Sequence, residues 1–284
     1  IRDRSPSRGL GDVYKRQILD GAGDLAELNI QTGTLRLWAD AVVNADGTQD
    51  TTTAGNQNGL IGGPATANGQ PEANLNAIDI QVVTLAARSA EGIYLSEADG
   101  LTVDATGNLS ISEVNFNSML TTRTDLSLAD LVTSNSGPIK LVSLAGTLTL
   151  NDGAAGALGG NDGLSVRAHS TADPNGLNSP GSILIEARGA ASDVVINSDI
   201  ESGRGHISLL AGDDILLQAD ILSDGTQSTS GAEGSVQLVA FNGTLNGAGS
   251  DGVIMADNSS ISSVSGVIRL VADNESDIVL GRLD

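Results

Sequence analysis

The chain contains no cysteine, which excludes disulfides, thiolate catalysis and cysteine-ligated zinc. Aromatic residues are nearly missing as well: one Trp, two Tyr and two Phe in 284 positions. A conventional globular core draws much of its buried area from rings, so the interior here has to be aliphatic and built from many similar layers. Basic residues are scarce, 14 against 35 acidic, for a formal net charge of −21. Such a surface repels phosphate backbones and anionic headgroups, which argues against nucleic acid and against a membrane face as partners. No apolar run approaches the roughly 18 residues of a membrane-spanning helix, so no direct membrane insertion is expected. Proline is rare, with 6 residues, while glycine is abundant, with 36. The hydrophobic share of 39% is too high for a disordered chain, and the length is near the upper limit for one compact core. A repeat array satisfies all of these constraints together.

The repeat is readable. The string G-x-[ILV]-x-[ILV]-x-A occurs at Gly33 (GTLRLWA), Gly181 (GSILIEA), Gly205 (GHISLLA), Gly234 (GSVQLVA) and Gly266 (GVIRLVA), with near copies at Gly137 (GPIKLVS) and Gly107 (GNLSISE) and a shifted copy at Gly163 (GLSVRA). Each reads as a period-2 strand whose two aliphatics and Ala point one way, led by a turn glycine. Two shorter strands follow, because DVVINSDIESG from Asp193 and DILLQADILSDG from Asp214 superpose as D-[IV]-x-[IL]-x-x-D-I-x-S, and DIVLG from Asp277 begins alike. The last glycine starts are 24, 29 and 32 residues apart, the excess over about 24 being polar loop. A unit of three short strands cannot bury its aliphatics alone, but stacked copies pair in parallel and form internal ladders. The expected fold is therefore all-β: a single-stranded parallel β-helix, or β-solenoid, right-handed by the rule for parallel crossovers, with three short strands per coil of about 24 residues. Ten or eleven coils from residue 18 onward would make a rod of roughly 50 Å. The rival architecture, a pair of β-sandwiches, relies on hairpins and seldom repeats one strand formula.

Two stretches break the pattern. Residues 48–76 are rich in Gly, Asn, Thr and Pro and read as a polar excursion from the coil; Asn56, Asn58 and Asn68 within it, together with Trp38, are the candidate contact side chains. Residues 113–132 fit the repeat poorly and read either as strands with altered corners or as a helical turn.

Candidate chemistry is sparse. His206 precedes the Asp213-Asp214 pair, a combination suggestive of acid and base. Asp214, however, holds the place of Asp193 one coil earlier, and His206 the place of Thr34, Asn108, Pro138, Ser182, Ser235 or Val267 in other copies. A catalytic group is needed once per molecule, a turn residue once per coil, and Asp at turns bonds nearby backbone N–H groups. Some β-helix enzymes acting on pectin-like polysaccharides use an Asp-Asp pair with Gly-His-Gly, but GRGHIS here precedes AGDDI, the second glycine is missing and no Asn-Thr-Asp motif occurs. His169 stands at a strand exit without an evident partner. No G-x-S-x-G, Walker loop or H-E-x-x-H is present. Calcium is the one ion the pattern suggests: NGAGSDGVI (246–254) matches eight of nine positions of the calcium-binding nonapeptide with Asp251 as ligand, and GGND (159–162) is a fainter echo. That motif works in tandem copies, so ordinary Asp-Gly turns are the preferred reading and no cofactor is expected.

The formula GSILIEA, DVVINSDI, GHISLLAGDDILLQADI resembles the repeat regions of very large bacterial exoproteins, including filamentous-haemagglutinin-like adhesins, over most of residues 18–284. The resemblance implies a non-enzymatic structural or adhesive shaft, located outside the cell or on its outer surface, that continues into flanking repeats of the same parent chain and meets a cell-surface glycan or protein. The alternative is a carbohydrate-active β-helix enzyme, a polysaccharide hydrolase or lyase. Residues 1–17, IRDRSPSRGLGDVYKRQ, share nothing with the repeat and carry five of the basic residues. They resemble translated adapter sequence at the ends of metagenomic reading frames, which implies a non-native leader; a basic arm that binds an acidic partner is the other reading.

Overall fold

The computed structural model describes residues 17–20, 28–39, 42–43, 49–50, 59–63, 76–169, 181–223, 234–241, 252–264, 266–273 and 276–284. It is all-β, without a helix among these residues, and its main sheet winds into a parallel β-helix. Three faces run along the axis. The first stacks Gly92–Glu97, Ile139–Ser143, Ile183–Ala187, Ile207–Ala211, Val236–Ala240 and Ile268–Ala272, each in unbroken parallel register with the next. The second stacks Leu101–Val103, Leu148–Leu150, Val194–Ile196, Ile215–Leu217, Gly252–Met255 and Asp277–Val279. The third stacks Leu131–Thr133, Leu164–Ala168, Asp199–Ser202, Ile221–Ser223, Ser260–Ser263 and Arg282–Leu283.

Toward the N-terminus the coil is less divided. Leu60–Ile61, inside the stretch read as a polar excursion, pairs with the first face and with Gln17–Ile18. Ile30–Trp38 and Ile78–Ser89 are long strands paired side by side, and Ile78–Ser89 bends to meet all three faces, through Leu95, Thr102 and Leu131. Among the described residues there are eight rungs along the first face, fewer than the ten or eleven the residue count suggested. Seven spacings of about 4.8 Å make a stack of roughly 34 Å. The difference lies in insertions, since Ile93 to Ile139 spans 46 residues and Ile139 to Ile183 spans 44, against 24 from Ile183 to Ile207.

The interior is a set of columns. Leu95, Leu141, Ile185, Leu209, Leu238 and Leu270 stack in register on the first face. Leu131, Val166, Ile200, Ile221, Ile261 and Leu283 do so on the third. The formula's final Ala makes the corner column Ala187, Ala211, Ala240 and Ala272, four small side chains in succession. Close approach explains four of the leading glycines, Gly137, Gly181, Gly234 and Gly266, but not Gly33, Gly107 or Gly163, where a Cβ would meet nothing; at Gly181, φ is +65° and a Cβ would collide with the Ala168 carbonyl, so only glycine fits. At the end of the third face, the buried hydroxyls of Ser89, Thr133 and Ser202 and the half-buried one of Ser263 reach carbonyls of Gly92, Gly137, Gly205 and Gly234 at 2.8, 2.6, 3.1 and 2.9 Å, satisfying corner groups.

Three sequence copies are placed elsewhere than expected. Leu35 and Leu37, after Gly33, lie in the columns of Leu85 and Ala87 on the second and third faces. The shifted copy after Gly163 is a third-face strand. The near copy after Gly107 leaves the stack altogether: Leu109–Val114 pairs antiparallel with Leu120–Asp125. Residues 113–132 are thus the tip and return arm of a hairpin followed by a third-face strand. Period-2 alternation is the same for a strand in a coil and a strand in a hairpin, so the pattern alone could not separate them.

Candidate functional site

Two antiparallel strand pairs stand outside the main sheet among the described residues, Val42–Val43 with Gln49–Asp50 and the longer hairpin Leu109–Val114 with Leu120–Asp125; the longer hairpin is the candidate contact element. Its arms are in register from Leu109 opposite Asp125 to Val114 opposite Leu120. The tip closes through the Asn115 N–H to the Met119 carbonyl, 2.8 Å, and the Ser118 N–H to the Asn115 carbonyl, 2.8 Å, with Ser118 at φ 63°. The base is fastened to the coil by the Ser127 N–H to Asn108 Oδ1, 2.9 Å, and the Thr106 N–H to the Leu128 carbonyl, 2.9 Å. What it presents is apolar. Ile111, Val114, Phe116, Met119 and Leu120 are all exposed, Phe116 completely. Val114 and Leu120 are cross-strand partners on one face and lead to Phe116 and Met119 at the tip, while Ile111 lies on the other face; in a chain with so few rings and so much negative charge, the apolar groups at the tip end form a contact patch.

Beside the hairpin runs the only predicted contact residue within the described set. Trp38 is half-buried on the outside of the third face, in register with Arg88, which is followed by Val132 and Arg167 on the next rungs. The Arg36 and Arg88 guanidiniums lie 5.2 and 5.7 Å from the ring centroid, and Arg36 reaches Asp125 of the hairpin at 4.0 Å. Burial pulls both guanidiniums below their ordinary value; Asp125 opposes this at Arg36, and at Arg88 the Arg167 charge adds to it while Asp162 opposes it. The strip therefore concentrates positive charge in an otherwise acidic molecule. Asn56, Asn58, Asn68 and Asp251 lie outside the described residues.

A shallow groove of about 570 Å³ crosses the first coils. Gln31 Nε2 donates to Gln81 Oε1 at 2.7 Å, and Gln81 Nε2 to Asp99 Oδ2 at 2.8 Å, with Thr102, Thr147 and Thr149 along the wall.

The aspartates of the repeat act as corner residues. Asp193 Oδ1 accepts the Asp214 N–H at 3.2 Å, Asp214 Oδ1 accepts the Gly252 N–H at 2.5 Å, and Asp199 and Asp220 accept the N–H groups of Asp220 and Ser260 at 2.8 and 2.7 Å. Each carboxylate caps the backbone of the next coil. Asp214→Ala is expected to cost about 1–3 kcal/mol, because it orphans the Gly252 N–H, whereas Asp214→Asn keeps an acceptor and costs less; urea unfolding of the two variants checks the order. His206 has the same ladder role, its Nδ1 accepting the Ser235 N–H at 3.2 Å. His169 does have a partner: Glu201 lies 2.8 Å from its Nε2, a contact across rungs that sequence spacing did not reveal.

Two carboxylate clusters bring ligand-capable oxygens within 4.8 Å of one another, Asp193 with Asp213 and Asp214, and Asp130 with Asp152 and Asp162. A further acid is hidden from sequence reasoning. Glu97 takes the corner place that is Ser143, Ala187 and Ala211 in later coils, fully buried, with Oε2 accepting the Val82 N–H at 3.2 Å and Oε1 the Asp99 N–H at 3.3 Å. Burial raises its carboxyl to about 8, with the Asp99 charge adding and the backbone N–H donors opposing. The signal was present in GIYLSE, where the formula ends on Glu instead of Ala or Ser.

No protein-family model, curated protein or solved structure matches the chain.

Proposed function

We propose that this chain is a shaft segment of a surface-exposed or secreted protein, whose role is to hold contact elements out from the axis, and that the hairpin 109–125 is its principal contact element. The observation that carries the reading is the division of labour among side chains. Corner aspartates and serines recur from coil to coil and are hydrogen-bonded to neighbouring coils, while five of the exposed large apolar groups are carried by the one hairpin 109–125. The partner that suits this patch is a cell-surface protein or glycan offering an apolar face, with the Trp38-Arg88 strip beside it for an acidic substituent. Further coils of the same design are the natural neighbours along the axis. Ile278 and Leu283 continue interior columns from Val253 and Ile261 and are 42% and 43% exposed.

The alternative of a carbohydrate-active enzyme is favoured by one observation, the Asp193, Asp213 and Asp214 cluster beside the rod. Against it, Asp193 and Asp214 already accept backbone N–H groups. An inverting hydrolase also needs acid and base on opposite sides of the bond, about 6.5–9.5 Å apart.

The test uses protein-coated beads on cultured cells and on arrayed glycans. The intact chain is expected to bind. Replacing Phe116 and Met119 by Ser should lower retention at least tenfold without moving the unfolding midpoint, since neither side chain touches the core. Retention unchanged in that variant would remove the hairpin from the reading. Depolymerisation of a polysaccharide that disappears in Asp214→Asn would replace the shaft with the enzyme.

A further inference from the structure

Asp130 stands at the entrance of the third face, 1% exposed. Its Oδ1 accepts the Gly153 N–H at 3.3 Å, but its Oδ2, equally shut off from solvent, has no hydrogen-bond partner. A buried carboxylate oxygen without a donor costs free energy that the fold has to recover elsewhere. What faces it is more negative charge. Asp152, after Leu148–Leu150, and Asp162, before Leu164–Ala168, both bring an oxygen within 4.8 Å. Those two are held in place by backbone donors: Asp152 accepts the N–H groups of Asn161 and Gly163 at 2.6 and 2.9 Å, and Asp162 Oδ1 accepts that of Leu164 at 3.0 Å. The nearby cation, Arg167, approaches Asp162 Oδ2 at 3.5 Å and leaves Asp130 Oδ2 unbonded.

The surrounding backbone adds carbonyl oxygens and no side chains. At Gly159 a Cβ would stand 2.9 Å from Asp130 Oδ2 and 3.2 Å from the Ala129 carbonyl, and at Gly160 a Cβ would stand 2.5 Å from the Ala154 carbonyl. The GGND segment, 159–162, therefore runs against the orphaned oxygen with no side chain in between. The donor set is oxygen only, carboxylates and carbonyls, without His or thiol. That chemistry suits a hard divalent cation, and calcium, with its tolerance of irregular coordination, more than magnesium.

We propose that Asp130, Asp152 and Asp162 hold a calcium ion that ties the hairpin-bearing coil to the coil after it. The ion gives Asp130 Oδ2 its missing partner and relieves the repulsion among the three acids. It also makes the GGND turn a functional element, although the fuller nonapeptide match, around Asp251, lies elsewhere in the chain.

The experiment is calcium titration of the chelator-treated full chain, by calorimetry and by thermal unfolding, against magnesium as the comparison ion. A saturable site with calcium favoured over magnesium, and an unfolding midpoint that rises with calcium, is the expected result. Asp130→Asn should weaken calcium binding at least tenfold, and Asp193→Asn, in the other cluster, should leave it unchanged. If Asp130→Asn fails to fold, Asp162→Asn reads the same loss from an exposed position. Absence of a calcium-dependent shift in the intact chain would overturn the proposal and assign Asp130 a bound proton instead. So would calcium binding that survives both Asp130→Asn and Asp162→Asn, which would mark it as diffuse attraction to an acidic surface. Neither result bears on bead retention, so this site and the adhesive reading stand or fall separately.

Discussion

Leu209→Ala is expected to lower the stability of the folded chain by about 2–5 kcal/mol. Leu209 is completely buried and sits between Ile185 on one side and Leu238 on the other in the first-face column. The neighbours cannot collapse into the space, because the backbone of each coil is held in register by ladders on all three faces. In a stack each rung meets only its two neighbours, so a hole at Leu209 weakens two interfaces at once. The same truncation at Leu283, on the last rung and 43% exposed, should cost a fraction of that. Urea unfolding of both variants checks the contrast: the midpoint for Leu209→Ala should fall well below that for Leu283→Ala, with slopes unchanged. Equal losses at the two positions would mean that the columns are not the source of stability.

The second large effect is a pH dependence that runs against the usual one for carboxylates. An unfolded glutamate titrates near 4.5, whereas Glu97 in the fold is raised to about 8 by burial. Between those values the native state holds a proton that the unfolded state has lost, so this contribution is complete below about pH 4.5 and is lost as the pH rises through 8. In the calcium-free chain Asp130, raised from 3.8 to about 8 mainly by burial and the Asp162 charge, contributes with the same sign, so the series is run with chelator. The clean readout is therefore the difference between wild type and Glu97→Gln. The variant should gain relative to wild type as the pH is raised from 5 to 9, by an amount on the order of a few kcal/mol at the alkaline end. Thermal midpoints recorded across that range measure it. A difference that stays flat would place the Glu97 carboxyl in contact with water.

Why the fold could be read from residues and the site could not is a matter of which interactions repeat. The first-face strands after Gly181, Gly205, Gly234 and Gly266 are legible because every coil must bury the same two aliphatics and leave the same small corner. Asp193 and Asp214 are legible as corner residues because both meet the same backbone need one coil apart. A position used once leaves no such trace. Glu97 carries a long acid where its counterparts are small, and only the register reveals that it points inward. Asp130, Asp152 and Asp162 are spread over 33 positions of sequence and meet because the coil returns. The Leu109–Val114 arm has the alternation of any strand, and its departure from the rod depends on tertiary pairing with Leu120–Asp125.

The 24-residue step between Ile183 and Ile207 carries a consequence for evolution. Because the bonds at each corner look to the rung before and the rung after, and to nothing farther, one such step can be duplicated or excised by recombination without a mismatch at either seam. Each event changes the reach of the molecule by a single strand spacing, about 4.8 Å, and moves the hairpin bodily along the axis with its geometry intact. The chain is in this sense a ruler, on which the distance between two display points is inherited as a whole number.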